Sequence, residues 1–490
     1  MFGKKGHYAL PNLQIFTISI KISTRNITFK KFVIVVIGLM IASDQYGVSS
    51  IIRALNLSAL NYESLLGLFT STAFTLPELL NTWIGTVSKR APLYRVNQRA
   101  VLIGDHKKLP KEARRMPGVK RHKQDSENAG KPKFILGHCF GSIGILIGEA
   151  TRYMCLPLIM RLHDGLNFIA NWHKKKPLSM VERIIEDANQ ATLSLNEATY
   201  VVLDAFFLTI DALKKRTKLM EKTGSVFDLI SRAKNNCLAY YPLTEEEKKA
   251  QKGKVGRPRE KGADVKVSDL FDQRADDFKK AYVKMYGEKR LVRYFSIHLQ
   301  WGKTLYEHLQ FVLVEVDEKR LILASTDLKI NPKRIIHLYA CRFSIEETFR
   351  FMGTEVNTFC YRFWSKHLKK LNRYYKSSDP NPLERITDEK ERQYILKAIE
   401  RIHRYVNFSS IALGLLEVLC FEFRGSIDPR TICFMRTYRG GDVMTVGLMK
   451  RYLSQNFFTL LYREPVERLR EIILERQSWF SSLFSNERAA

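Results

Sequence analysis

Between residues 99 and 240 the hydrophobic period switches repeatedly between two and 3.6, and this alternation limits the fold more than any other feature of the chain. RAVLIGD (99–105) is a short apolar run of strand type that closes on Asp105. FILGHCFGSIGILIGE and RYMCLPLIMRLHD follow as two apolar segments with glycine breaks, which read as neighbouring strands. MVERIIEDANQATLSL (180–195) is helical, and TYVVLDAFF (199–207) is a strand carrying Asp204. IDALKKRTKLMEKTG reads as a helix and FDLISRAKNNCLAYYP as another strand. Three strands, helix, strand, helix, strand is an α/β layer pattern, so an α/β fold class is expected.

The flanks differ from this centre. Residues 1–30 are polar and aperiodic, while 31–97 read as helices. In FTLPELLNTWIGTV, Thr75 can cap and Pro77 stands in the first turn. The 1–97 stretch is therefore a helical N-terminal module, either a reader of DNA ends or plain helical packing. Residues 98–243 form the first part of the core. Residues 244–326 form a charged linker followed by a β-rich insertion, because RLVRYFSIHLQW and QFVLVEVDEKRLILAST alternate as strands. A helical region at 327–375 and a helical C-terminal region at 376–490 complete the chain. Two stretches, 109–133 and 244–267, are dense in charge and read as solvated excursions.

Charge narrows the partners. The 490 residues carry a net charge of +30, a surplus that folding does not need and that points to a polyanion. The longest apolar run, FVIVVIGLMIA (32–42), is about half the roughly 20 residues of a membrane span, so it reads as a buried helix and no membrane partner is expected. The seven cysteines form no C-x-x-C pair, which argues against a zinc site or a disulfide framework and fits a reducing cytoplasm. Double-stranded DNA is the expected partner and the nucleoid the expected location.

Asp105 and Asp204 each close an apolar strand run, where an unpaired carboxylate is unfavourable. Each alone reads as a turn residue or cap; together, on the first and fourth strands, they read as a site. YACRFSIEETFRFM (339–352) reads as one helix with Tyr339, Arg342, Glu346 and Arg350 on one face, and Ile345, Phe349 and Met352 on another. That face is either a surface ladder of ion pairs or a cation- and phosphate-binding row: Glu346 for the cation, the guanidinia for phosphate oxygens.

These residues resemble the DDE transposases of bacterial insertion sequences, in the branch whose last acid sits in a Y-(2)-R-(3)-E-(6)-K motif. Tyr339, Arg342 and Glu346 match Y, R and E in register, and the order Asp105, Asp204, Glu346 matches the order of the acids. The resemblance spans about residues 31–440. It implies an RNase H-like mixed sheet flanked by helices, with a β-rich insertion before the last catalytic helix. It also implies that Asp105, Asp204 and Glu346 are catalytic and bind two Mg2+ ions, or Mn2+, while Tyr339 and Arg342 grip DNA phosphate. Gly353 stands where the motif has Lys, and Arg350 is the nearest substitute cation. Relatives stack a flipped base on a Trp in the insertion; here Arg320 lies at that place, and Trp301 is either a stand-in or a core residue.

The expected activity is cut-and-paste transposition: metal-dependent hydrolysis at transposon ends, then strand transfer into target DNA by a dimer assembled on DNA. Lys107 and Lys108, with Arg114, Arg115, Lys120 and Arg121, can line the duplex path or be a solvated loop. Arg257, within GRPR (256–259), resembles a minor-groove hook or belongs to a flexible linker. His106 and His138 read as hydrogen-bonded residues, since magnesium prefers oxygen. The alternatives are a stand-alone metal-dependent nuclease and an inactive DNA-binding remnant.

Overall fold

The computed structural model describes residues 26–463, apart from 112–113, 125–129, 131, 150–151, 175, 252–257, 373–374, 377–378, 426, 429, 431 and 434–442, together with 473 and 476. Arg257 and the segment 1–25 lie outside the described residues.

Four helices come first: α1 (Asn26–Ile41), α2 (Val48–Ala54), α3 (Asn61–Leu68) and α4 (Leu76–Arg90). α4 begins in a reciprocal cap, Thr75 with Glu78, with Pro77 in its first turn, as the sequence signalled. Then come β1 (Arg95–Val96), β2 (Arg99–Pro110), β3 (Lys120–Lys123), β4 (Phe134–Glu149), β5 (Arg152–Leu162), α5 (Asn167–Trp172) and α6 (Met180–Leu195). β6 (Thr199–Leu203), α7 (Ile210–Thr223), β7 (Phe227–Arg232), β8 (Leu238–Tyr240), α8 (Glu245–Lys249), β9 (Asp264–Lys266) and α9 (Leu270–Gln273) follow. The stretch read from the sequence as an insertion forms β10 (Lys279–Met285), β11 (Glu288–Trp301), β12 (Glu307–Val316) and β13 (Lys319–Ser325). The chain ends in α10 (Pro332–Cys341), α11 (Ser344–Thr354), α12 (Glu389–Glu422) and α13 (Val446–Arg463).

The fold is mixed α/β, and its strands form one 13-stranded mixed sheet among the described residues. β5, β4 and β2 run as an antiparallel meander, and β6 and β7 join β2 in parallel after helical crossovers. The inserted strands continue the same sheet, because β13 pairs with β7 in antiparallel register. A single buried cluster runs through the N-terminal helices, the sheet and α12. α12 lies on β5, where Asn407 both accepts from the Met160 N–H and donates to its carbonyl. Arg404 on the same helix is 2% exposed and donates to the Leu68, Ser71 and Phe74 carbonyls, which ties α12 to the end of α3. α12 is the one helix among the described residues long and apolar enough to cross a membrane, and 89% of its apolar window is buried inside the molecule.

Four expectations need correction. Asp105 does not end its strand: β2 runs on to Pro110, because β4 pairs with it that far. The segment 227–242 is two strands, broken where Asn235 and Asn236 turn the chain. The stretch 109–133 is only partly an excursion, since Met116 and Val119 are buried and Lys120–Lys123 pair with β4. The stretch 339–352 is two helices, because at Arg342–Phe343 the bonds tighten to Arg342 N–H to Tyr339 and Glu346 N–H to Phe343.

Candidate active site

Parallel pairing of β2 with β6 matches Ala100 with Thr199 and Ile103 with Val202. Carried two residues further, the same register sets Asp105 level with Asp204, which stands just past the end of β6. Asp204 is the first residue of a 3-10 turn, yet its side chain does not cap that turn. Its carbonyl accepts from the Phe207 N–H of the turn and from the Ser231 hydroxyl of β7, and its carboxylate bonds to neither. Asp204 is thus a turn residue whose side chain does not cap.

The helix pair supplies the rest. The Tyr339 hydroxyl donates to Asp204 Oδ1 at 3.2 Å. Arg342 donates through Nη1 to Asp105 Oδ2 at 2.9 Å and through Nη2 to Glu346 Oε1 at 3.1 Å. The break between α10 and α11 keeps Arg342 and Glu346 one turn apart, so one guanidinium spans two carboxylates. Asp105, Asp204 and the stretch carrying Tyr339, Arg342 and Glu346 thus come together from three places in the chain. Arg350 does not join them; it stacks against Phe351 and faces Glu347. Lys107 reaches over the Phe349 ring of the helix that carries Glu346.

The electrostatics follow from enclosure. Burial pushes the Asp105 carboxyl up to about 6, against the pull of Arg342 and the His106 N–H, with Asp204 and Glu346 adding to the rise. Burial works against the charge on Arg342, but Asp105, Asp204, Tyr339 and Glu346 outweigh it and hold its pKa above the usual value. Burial, and then the Asp204 charge, raises the Tyr339 phenol, so it remains a donor.

A polar chain leads away from the cluster. The His106 N–H donates to Asp105 Oδ1, and the His106 ring meets His163 at 3.0 Å. His163 in turn meets the buried Asp187 at 2.9 Å, and Arg161 pairs with that same carboxylate. Burial, and then His163, pushes His106 down to about 3, so its ring is neutral. Gly141 makes the crossing possible: a Cβ there would stand 2.0 Å from the His163 ring. The sequence reading took the glycines of FILGHCFGSIGILIGE as breaks, whereas glycine inside a strand also marks a close approach. His138 is held between the Tyr361 hydroxyl and the Pro117 carbonyl, in keeping with a structural role.

Beside Asp105 opens a cavity of about 420 Å3 lined by Lys108, Lys120, Arg121, Lys123 and the ring of Phe206. Lys120 pairs with Asp164 at 2.9 Å, and Lys108 donates to the Lys123 carbonyl. Lys108, Lys120, Arg121 and Lys123 therefore face one mouth beside Asp105, with Asp164 in the same lining. Arg114 and Arg115 instead lend their carbonyls to Leu371 and Ser365 and fasten the segment after α11. Trp301 packs against the core, and Arg320 bonds Glu315 and Asp272, well bound into the insertion's surface.

Among the described residues no group of three His, Cys, Asp or Glu side chains stands arranged to hold a metal ion. The Arg342 guanidinium spans the space between Asp105 and Glu346. Compared with protein families and with curated proteins, the chain matches none.

Proposed function

We propose that the chain is a DDE-type DNA transposase with an RNase H-like core, cutting DNA at element ends and joining them to a target. The observation that carries this reading is the gathering of Asp105, Asp204 and Glu346, remote in sequence, around Arg342 and Tyr339. Strand order supports it as well: an antiparallel meander is extended by two parallel strands, with Asp105 inside β2 and Asp204 just past the end of the neighbouring β6.

The donor set suits magnesium, which takes hard carboxylate oxygens and keeps several waters. Asp105, Asp204 and Glu346 would hold it once Arg342 turns from the carboxylates to a phosphate. Bound there, a pair of such ions would activate water and neutralise the charge of a departing oxygen. Arg342 and Tyr339 orient the phosphodiester: the guanidinium grips two non-bridging oxygens and the neutral phenol donates to a third acceptor. Arg342 is thus an internal counter-ion in the free protein and a substrate clamp in the complex. Lys108, Lys120, Arg121 and Lys123 neutralise the backbone of the entering duplex. The protein would work on nucleoid DNA, as a dimer formed on two ends.

The test is magnesium-dependent cleavage of linear DNA carrying the sequences that flank the gene, followed by transfer of the cut end to a plasmid. Cleavage without transfer would favour a stand-alone nuclease. Binding without cleavage, unaltered in Asp105→Asn, would favour an inactive remnant, a reading that Gly353 in the motif's Lys position keeps relevant.

A further inference from the structure

We propose that a second site, between the N-terminal helices and α12, binds a nucleotide unit: an aromatic base together with its phosphate. A cavity of about 460 Å3 opens there, of a size that holds small ligands. Three rings around it stand in solvent rather than in the core: Tyr46 is 64% exposed, Trp364 58% and Tyr62 39%. Rings that only packed the helices together would be covered, as Tyr405 is at the base of the same cavity.

Its charge is one-sided. Arg362 and Arg401 line the cavity, and no acidic residue among the described ones does. Arg401 Nε is buried without a hydrogen-bond partner among the described residues. The neighbouring Glu400 offers it none, being turned to Arg404. Flat rings with two guanidinia and no carboxylate select a planar, anionic guest, and every nucleotide offers a π-face and a phosphate. None of these residues belongs to the acidic cluster, so the pocket stands apart from the proposed chemistry.

The guest is either an unpaired nucleotide of a bound strand or a free nucleotide, and two probes separate them. Fluorescein-labelled dT8 is titrated into the full chain in EDTA, so that divalent cations play no part, and AMP is then added as competitor. Trp364→Ala is expected to weaken dT8 binding about ten-fold or more, whereas Trp364→Phe, which keeps a ring, retains most of it. Arg362→Gln is expected to weaken binding and flatten its salt dependence. Displacement by AMP assigns the site to free nucleotides, and resistance to AMP assigns it to a strand. The proposal is overturned if neither probe binds the wild type. It is equally overturned if Trp364→Ala and Arg362→Gln, melting as the wild type does, bind both probes unchanged. Equal weakening for a duplex of the same length in Trp364→Ala would also overturn it, since a ring that stacks on an unpaired base has no such face to meet in paired DNA. A chain that cuts no DNA but shows this pattern loses the transposase reading and keeps this one.

Discussion

Strand β6 is buried at all five of its positions, whereas β11, further along the same sheet, is buried at three of fourteen. The half made of β5, β4, β2, β6 and β7 is covered on both faces, by α6 on one side and by α11 and α12 on the other, so its strands read as nearly continuous apolar runs. The inserted half carries its charges outside, as in Arg290 with Asp317 and Arg320 with Asp272. Charged groups in the covered half are few and interlocked: Arg342 with two acids, Asp187 with Arg161 and His163. A charge enclosed with its partner is unfavourable to orphan, while an exposed pair exchanges its partner for water. The two halves should therefore answer substitution very differently.

The largest contrast concerns activity. Asp204→Asn and Glu346→Gln are each expected to lower magnesium-dependent DNA cleavage more than about 100-fold, since even partners of a metal ligand are worth about 10- to 100-fold. Binding at low salt should survive, because the basic cavity residues are untouched. Cleavage at the wild-type rate by either variant would remove the acids from the chemistry. Next comes packing. Gly141→Ala drives a methyl into the His163 ring and is expected to lower stability by about 1–3 kcal/mol in urea unfolding. In the inserted half, Gly287→Ala meets nothing within 4 Å and loses only the ease of its positive φ of +87°, about 1 kcal/mol. A larger loss at Gly287 would contradict the contrast.

How far the sequence foretold these halves depends on the kind of information each residue carries. Period and capping are local, so α6 has the bounds 180–195 read from its pattern, and Thr75 and Ser179 start their helices with reciprocal caps. Asp204 does follow the last residue of its strand, as the apolar run indicated, whereas Asp105 lies inside β2; the Tyr339–Arg342–Glu346 spacing survived the break in the helix. The break itself was not legible: nothing in ACRFS forbids a continuous helix, and contact with Asp105 and Asp204 across the sheet sets the geometry there. The His106–His163–Asp187 chain was hidden for the same reason. It joins three elements through a register in which His106 faces Gly141, and register is a property of pairs of strands. Arg350 stands four residues after Glu346 on the same helix, but its guanidinium lies over Phe351 and faces Glu347 rather than the acids.

Acidity gives a smaller, signed effect. Asp105 titrates at about 6 in the folded chain against a usual 3.8, so between those values the folded state holds a proton that the unfolded state has released. Stability should fall as pH rises from about 4 to about 6 and level off above, and Asp105→Asn should remove that part of the slope in denaturant midpoints taken across the range. Arg342→Gln withdraws a group that lowers the Asp105 pKa, so the window should move upward. Cleavage should rise with pH through the same interval, because a protonated Asp105 is a poor cation ligand. A pH-independent Asp105→Asn difference would show that the carboxyl is not enclosed as described.

The smallest effect belongs to the outer half, and it is the one that most sharply limits the comparison. Arg290 and Asp317 stand across a turn of the insertion, with side chains 37% and 61% exposed. Their attraction acts largely through water, and two long side chains must give up freedom to meet. Arg290→Ala should lower stability by less than about 1 kcal/mol, and by less still in 0.5 M salt, where exposed charges are screened within about 5 Å. If this substitution instead matched Gly141→Ala, and salt left it unchanged, the inserted strands would be as enclosed as the central ones. The sheet would then have no outer half, and something beyond this chain would have to cover it.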